Sequence, residues 1–372
     1  MSDTPFLRIT ALSHLAWERT LFQRPQQLMT RFAALGHRVD YFSLVSFKKY
    51  LAMPLEARLI KGPGDLEAQN LPFFPGTSRF ALSAWLSRKL MVLKARPTLR
   101  AGTAPRVLWL QYPGFVDLVD QLPHDLLVYD AMDPFRAFAK SDPKVLRQEE
   151  ELLQRANIVF TGGRSLQRLL EPLRPNAICH PSGIDFAHFA RAAQDCPTPP
   201  PDIAKLSKPV LGYFGAVDER LDWDLLQYLC RERRHWSVVL IGPLVGLEKP
   251  PVIEPNLHWL GPKSYARLPD YLRCFDVCLI PWKVNDLTRF MSPTKTPEYL
   301  ASGRPVVSVP IPDVAADYAE EVLLADTPKA FLEQCTKALL RGKGAALKPP
   351  QSRTWDEIAE AMVSNLAAAV VG

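Results

Sequence analysis

Short apolar runs alternate with helical patterns from one end of this chain to the other, and that alternation restricts the fold more than any other feature. Strand-like runs occur at Leu7 to Leu12, Val39 to Leu44, Val107 to Leu110, Leu126 to Tyr129, Ile158 to Thr161 and Ala177 to Cys179. A second series follows at Val210 to Phe214, Ser237 to Ile241, Leu257 to Leu260, Val277 to Pro281, Val306 to Val309 and Val322 to Leu324. Strands that alternate with helices pair in parallel, because each return crosses over through a helix, and such sheets are covered on both faces. Between the two series lies CPTPPPDIAKLSKP, Cys196 to Pro209. Proline-rich sequence continues neither a helix nor a central strand, so this stretch reads as an extended linker. At 372 residues the chain is also longer than one core usually supports. The expected domains are therefore 1–195 and 210–354, joined by the linker 196–209, with a closing helix in 355–372.

Composition narrows the function classes. The hydrophobic share of 47% is that of a globular protein, and no apolar run is long enough to span a membrane. The start, MSDTPFLRIT, lacks the basic residues and apolar core of a signal peptide, which argues for the cytoplasm. Six cysteines (Cys179, Cys196, Cys230, Cys274, Cys278, Cys335) are scattered without paired CxxC spacing, so they read as reduced and structural, and no metal site is expected. A dinucleotide oxidoreductase is excluded because no GxGxxG follows an early strand.

The most informative stretch is SPTKTPEYLASGRPVV, Ser292 to Val307. It follows the buried-strand pattern CFDVCLIPW (Cys274 to Trp282), and the carboxyl ends of strands are where open α/β sheets bind ligands. Lys295 suits a pyrophosphate and Glu298 suits ribose hydroxyls. Gly303 reads as the stop of their helix, and Pro305 opens the next strand. Pro293, Lys295, Glu298, Tyr299, Ala301, Gly303, Pro305 and Val306 resemble the donor motif of GT-B glycosyltransferases. In that family the glutamate opening the EYLA-type helix holds the nucleotide ribose and a nearby cation meets the diphosphate. Tyr299 is counted with these donor residues. Many retaining members carry a second glutamate eight residues earlier, where this chain has Phe290, and the anomeric outcome stays open. The pattern is closest to bacterial exopolysaccharide transferases, including the glucuronosyltransferases of xanthan synthesis. The resemblance implies two Rossmann-like domains with parallel sheets facing a central cleft, and a nucleotide-sugar substrate with no separate cofactor.

Further donor residues are expected in LGYFGAVDERLDWDLL (Leu211 to Leu226), a strand, a glycine turn and a helix. Gly215 is the close-approach residue. Arg220 lies near the place where related transferases put a phosphate-binding cation, and Asp222 is a candidate helix cap. The stretch around Gly261 and Lys263 resembles the loop whose backbone grips the base, which points to uracil.

In the first domain, His14, Trp17, Arg24 and Gln26 resemble a recurring pattern of bacterial surface-polysaccharide transferases that puts them near acceptor or donor sugar. The alternative for Arg24 and Gln26 is capping and surface pairing. The strand LLVYDA leads into Asp130 and Asp133. In the xanthan-type enzymes a strand of the form LVYxAxD presents an aspartate as the base that deprotonates the acceptor hydroxyl. Asp133 matches that position, His14 is the competing base, and Asp130 reads as a cap or turn residue. PSGIDFAHF, Pro181 to Phe189, resembles the hinge-proximal NGVD-type motif.

Charge adds a location. The net balance is +6, yet Ala68 through Val116 holds no Asp or Glu while Arg79, Arg88, Lys89, Lys94, Arg96, Arg100 and Arg106 fall there. AWLSRKLMVLKA reads either as a basic amphipathic helix in the interface of an anionic membrane or as a solvated basic face over an ordinary core helix. Nucleic acid is disfavoured because no recognised binding module accompanies the block. The reading is a cytoplasmic, peripherally membrane-associated glycosyltransferase that moves a sugar from a nucleotide diphosphate, UDP first, to a lipid-linked or growing bacterial polysaccharide. The alternative is a noncatalytic nucleotide-sugar-binding partner of another transferase.

Overall fold

The computed structural model describes residues 5–17, 22–74, 81–100, 102–138, 141–194, 198–347 and 353–371. It divides into two compact units, Met1–Pro181 with Trp355–Gly372, and Ser182–Thr354.

The first unit is built on one eight-stranded sheet. Its strands are β1 (Arg8–Ser13), β2 (Arg38–Ser46), β3 (Leu59–Lys61), β4 (Leu66–Phe73), β5 (Arg106–Leu110), β6 (Leu126–Ala131), β7 (Ile158–Thr161) and β8 (Ile178–Cys179). They run in the order β3-β4-β2-β1-β5-β6-β7-β8, with only the edge strand β3 antiparallel to its neighbour. Side chains alternate across a strand, so two cores form. Ile9, Val39, Val107, Trp109, Val128 and Phe160 pack with Leu28 and Phe32 of the helix Arg24–Ala34 and with Ile358, Met362 and Leu366 of the helix Trp355–Val371. On the other face Leu12, Phe42, Leu108, Leu110 and Tyr129 pack with Met91 and Ala95 of the helix Ala81–Ala95 and with Leu152 and Leu153 of the helix Pro143–Arg155.

Strands β3 and β4 were not evident from hydrophobicity. The β4 segment carries Gln69, Asn70 and Pro72, yet it pairs with β2 along its full length, from Val39↔Leu66 to Ser46↔Phe73. Asn70 is buried because its amide bonds replace water: Oδ1 accepts from the Trp17 N–H at 2.9 Å, and Nδ2 donates to the Ala57 carbonyl at 2.7 Å.

The second unit carries β9 (Val210–Phe214), β10 (Ser237–Ile241), β11 (Leu257–Trp259), β12 (Val277–Ile280), β13 (Val306–Ser308) and β14 (Val322–Leu324). All pair in parallel in the order β11-β10-β9-β12-β13-β14. This is the arrangement of dinucleotide-binding sheets, and its direction of winding reverses between β9 and β12. The helix Lys295–Ala301 follows β12 and is stopped at Gly303, whose φ is +68° and where a Cβ would lie 2.4 Å from the Gly344 carbonyl oxygen.

The domain boundary differs from the sequence expectation. It falls between Pro181 and Ser182 rather than in 196–209. Ile184, Phe189, Ala192 and Ile203 all belong to the second unit's core, and residues 201–204 form a short helix within the supposed linker. Pro201 opens a helix here, within the second unit. Cys196 and Pro197 lie outside the described residues. Among those described, no helix is long and apolar enough to cross a membrane.

Candidate functional site

In the second unit the chemistry gathers at the point where the winding reverses. Strand β9 ends at Phe214, and Gly215 follows with φ +144°, donating its N–H to the Ile241 carbonyl at 2.8 Å. A Cβ on Gly215 would sit 2.2 Å from Cε of Lys295, so glycine is what lets that lysine lie across the turn. Lys295 opens the helix after β12. Its ammonium stands 5.6 Å from the ring centroids of both Tyr213 and Trp282, and the Arg220 guanidinium lies 5.3 Å from the same Trp282 ring. Arg220 is held there by Asp218, whose Oδ1 accepts from Nε at 3.0 Å. Burial first, and the Arg220 charge second, lower the pKa of Lys295.

Glu298 lies one helical turn beyond Lys295 and is 8% exposed. Burial raises its carboxyl pKa, opposed by Lys295 and reinforced by Asp185. Neither Lys295 nor the Glu298 carboxylate makes an ion pair or hydrogen bond with a described residue. A half-buried ammonium and a buried carboxylate, neither with a direct partner among the described residues, form a polarised site beyond the ends of two parallel strands.

Other expected donor residues fall into different roles. Tyr299 is fully buried, so its assignment as a ligand contact is corrected: its hydroxyl accepts from the Phe214 N–H at 2.9 Å and fixes the end of β9 beside Gly215. The Lys263 ammonium is tied to Asp202 at 2.7 Å, and the Gly261 carbonyl accepts from the Gly242 N–H at 3.0 Å. Asp222 caps the helix Trp223–Glu232, accepting from the Leu225 N–H at 3.0 Å. Phe290 sits half-buried in a single 3₁₀ turn, Thr288–Phe290.

In the first unit the winding reverses between β1 and β5, and His14 follows β1. Its Nε2 lies 3.5 Å from Oδ2 of Asp133, just beyond the end of β6, and both side chains are about a third exposed, at 32% and 31%. The two candidate bases thus form one pair, flanked by Tyr112, whose ring centroid is 5.5 Å from that of His14. Nδ1 of His14 is buried without a hydrogen-bond partner. A proton there would be an orphaned donor, so the favoured tautomer carries its proton on Nε2, facing the carboxylate.

Three expected sugar contacts in this unit are corrected. Arg24 is 1% exposed: Nε and Nη2 donate to both oxygens of Asp130, at 2.9 to 3.2 Å, and Nη1 donates to the His180 carbonyl at 2.6 Å. Asp130 is accordingly the buried partner of Arg24 and neither a cap nor a turn residue. Gln26 serves the capping box of the helix Arg24–Ala34, accepting from the Gln23 N–H at 3.1 Å and donating to the Ala16 carbonyl at 3.0 Å. Trp17 is 6% exposed, with its ring edge-on to Tyr41 at 4.9 Å. Sequence reasoning passed over Tyr112, Asp218 and Trp282; for Asp218 the signal was its place two residues before Arg220, and for Trp282 its place at the end of the strand run.

Residues 208–341 match the family of glycosyl transferases group 1. A Bacillus subtilis protein whose name assigns it to teichuronic acid biosynthesis as a glycosyltransferase, TuaH, is 25% identical over 255 residues, covering 62% of this chain and 63% of that protein. The match spans a little under two thirds of that relative's length. Among solved structures, sucrose-phosphate synthase from Thermosynechococcus elongatus superposes with a TM-score of 0.68 at 16% identity, covering 98% of this chain and 96% of that one. Anabaena HepE in complex with UDP-glucose superposes with a TM-score of 0.67 at 14% identity, covering 97% and 99%. The chain therefore has the GT-B fold of two parallel-sheet α/β domains, and within it residues 208–341 resemble the group 1 glycosyl transferases.

Proposed function

We propose that this chain transfers a sugar from a nucleoside diphosphate sugar, UDP-linked, to a hydroxyl of a lipid-linked or growing bacterial polysaccharide on the cytoplasmic side of the membrane. The observation that carries the proposal is the recess of Lys295, Arg220 and Glu298 at the ends of β9 and β12. The two cations suit a diphosphate, and the ribose hydroxyls are donors that an unpaired buried carboxylate accepts. Binding a diphosphate would also restore the charge that burial disfavours on Lys295. HepE, whose fold the chain shares, has been crystallised with UDP-glucose, which makes that sugar the first donor to try.

The first unit supplies the proton acceptor. In a direct displacement the acceptor oxygen bonds to the anomeric carbon as the bond from that carbon to the diphosphate oxygen breaks. The electron pair leaves with UDP, and the hydroxyl proton passes to Asp133, which His14 orients. The donor itself is the only small molecule this chemistry requires. A calorimetric screen over UDP-, GDP- and dTDP-sugars tests the reading: saturable binding of a UDP-sugar supports it, and binding of no nucleotide sugar at all overturns it.

A further inference from the structure

We infer that the outward face of the helix Ala81–Ala95 is a docking surface for an anionic lipid bilayer. It deepens the proposed function, on which its biological sense rests, by naming where the protein would meet a lipid-linked acceptor.

The helix is anchored by one side only. Ser87, Met91 and Ala95 are buried against the first unit's core, whereas Leu82, Trp85, Leu86 and Leu93 are 67%, 52%, 39% and 68% exposed. With Lys89 these residues stand at i, i+3, i+4, i+7 and i+11, so they form one stripe along the helix, about 16 Å long at 1.5 Å per residue. A surface helix ordinarily turns polar residues outward, and an apolar stripe left in water marks something that covers it.

Charge identifies the occupant. No Asp or Glu occurs between Glu67 and Asp117. The structure also separates working cations from committed ones: Arg88 is paired with Asp117 at 3.1 Å and Arg106 with Asp125 at 2.6 Å. Lys94, Arg96 and Arg100 are exposed and pair with no described residue, and the exposed Lys89, 5.9 Å from the Trp85 ring, donates only to the neutral Gln121 Oε1 at 3.1 Å among the described residues. Arg79 and Phe80 lie outside the described residues. An apolar stripe that holds a tryptophan, with exposed cations beside it and its neighbouring acid Asp117 paired by Arg88, fits a flat anionic interface: the leucines and the indole enter the acyl boundary while the lysines stay at the headgroups. At 15 residues the helix is too short to cross the bilayer, so it lies on the surface.

The experiment is cosedimentation of the full chain with phosphatidylcholine vesicles, with and without phosphatidylglycerol, in low and high salt. The fluorescence of Trp85 is isolated by subtracting a Trp85→Phe variant. Binding that requires phosphatidylglycerol, fades with salt and blue-shifts Trp85 is the expected result. Lys89→Gln combined with Lys94→Gln should lower that affinity about thirtyfold, at about 1 kcal/mol for each cation removed. Leu82→Gln, Leu86→Gln and Leu93→Gln together should abolish the blue shift. UDP affinity should be unchanged in every variant, which shows that they fold and keeps this test separate from the donor reading. Equal binding to both vesicle types, or none to either, overturns the proposal. So does concentration-dependent self-association that disappears in the leucine variants, which would assign the stripe to a second copy of the chain.

Discussion

Beyond the ends of β9 and β12, Glu298 is buried and Lys295 half-buried, with their charges opposed by desolvation, whereas at the ends of β1 and β6, His14 and Asp133 face each other about a third exposed. The difference matches what each place would do. Holding a diphosphate rewards a preformed, desolvated recess, because charge-assisted bonds strengthen when water is excluded. Taking a proton from a hydroxyl requires a carboxylate that substrate can reach. On the proposed function, the same fold feature, a reversal of winding direction, would carry binding in one unit and proton transfer in the other.

The contrast is broken most sharply at Asp133. Asp133→Asn keeps the shape and removes the basicity, so turnover should fall about 10²–10⁴-fold with donor affinity nearly constant. Steady-state kinetics beside UDP titration checks this. Near-normal turnover in that variant, with a collapse in His14→Ala, would transfer the role to the histidine.

A second contrast lies inside the first unit, between the reachable pair His14–Asp133 and the buried pair Arg24–Asp130. Arg24→Ala strands the Asp130 carboxylate in the core and should lower unfolding free energy by about 3–5 kcal/mol, measured by urea denaturation. A loss of turnover without a loss of stability would instead return Arg24 to the sugar site. In the second unit Gly215→Ala sharpens the comparison from the other side. The new methyl meets Lys295 and puts an L residue at φ +144°, so some stability should be lost and UDP affinity should drop by roughly 1–3 kcal/mol, because the ammonium is displaced from its place over Trp282.

These residues also mark where sequence reading succeeds and stops. Twelve strands were legible because buried parallel strands are short apolar runs, and the helix that carries Lys295 and Glu298 was legible because it follows such a run and ends at a glycine. Strand β4 was hidden because the burial of Asn70 is balanced by side-chain hydrogen bonds that leave no hydrophobic trace. The ion pair of Arg24 with Asp130, the approach of His14 to Asp133 and the grip of Tyr299 on Phe214 all join residues distant in the chain. Periodicity carries no information about such pairs, which is why Arg24 and Trp17 read as site residues until their burial was seen. The domain boundary failed for a related reason: proline marks the start of a helix as readily as a break between domains.

The central claim is that the second unit binds a nucleoside diphosphate through Lys295 and Glu298, and calorimetric titration of UDP into the wild type, Lys295→Ala and Glu298→Ala tests it directly. Each substitution should cost roughly 1–3 kcal/mol of binding free energy. In Glu298→Ala, where the opposing titration of the carboxyl is gone, the remaining affinity should decline as pH rises above neutrality, at lower pH than for an ordinary lysine, because the protonated Lys295 is the binding form and its pKa is lowered. UDP affinity unchanged in both variants would contradict the account.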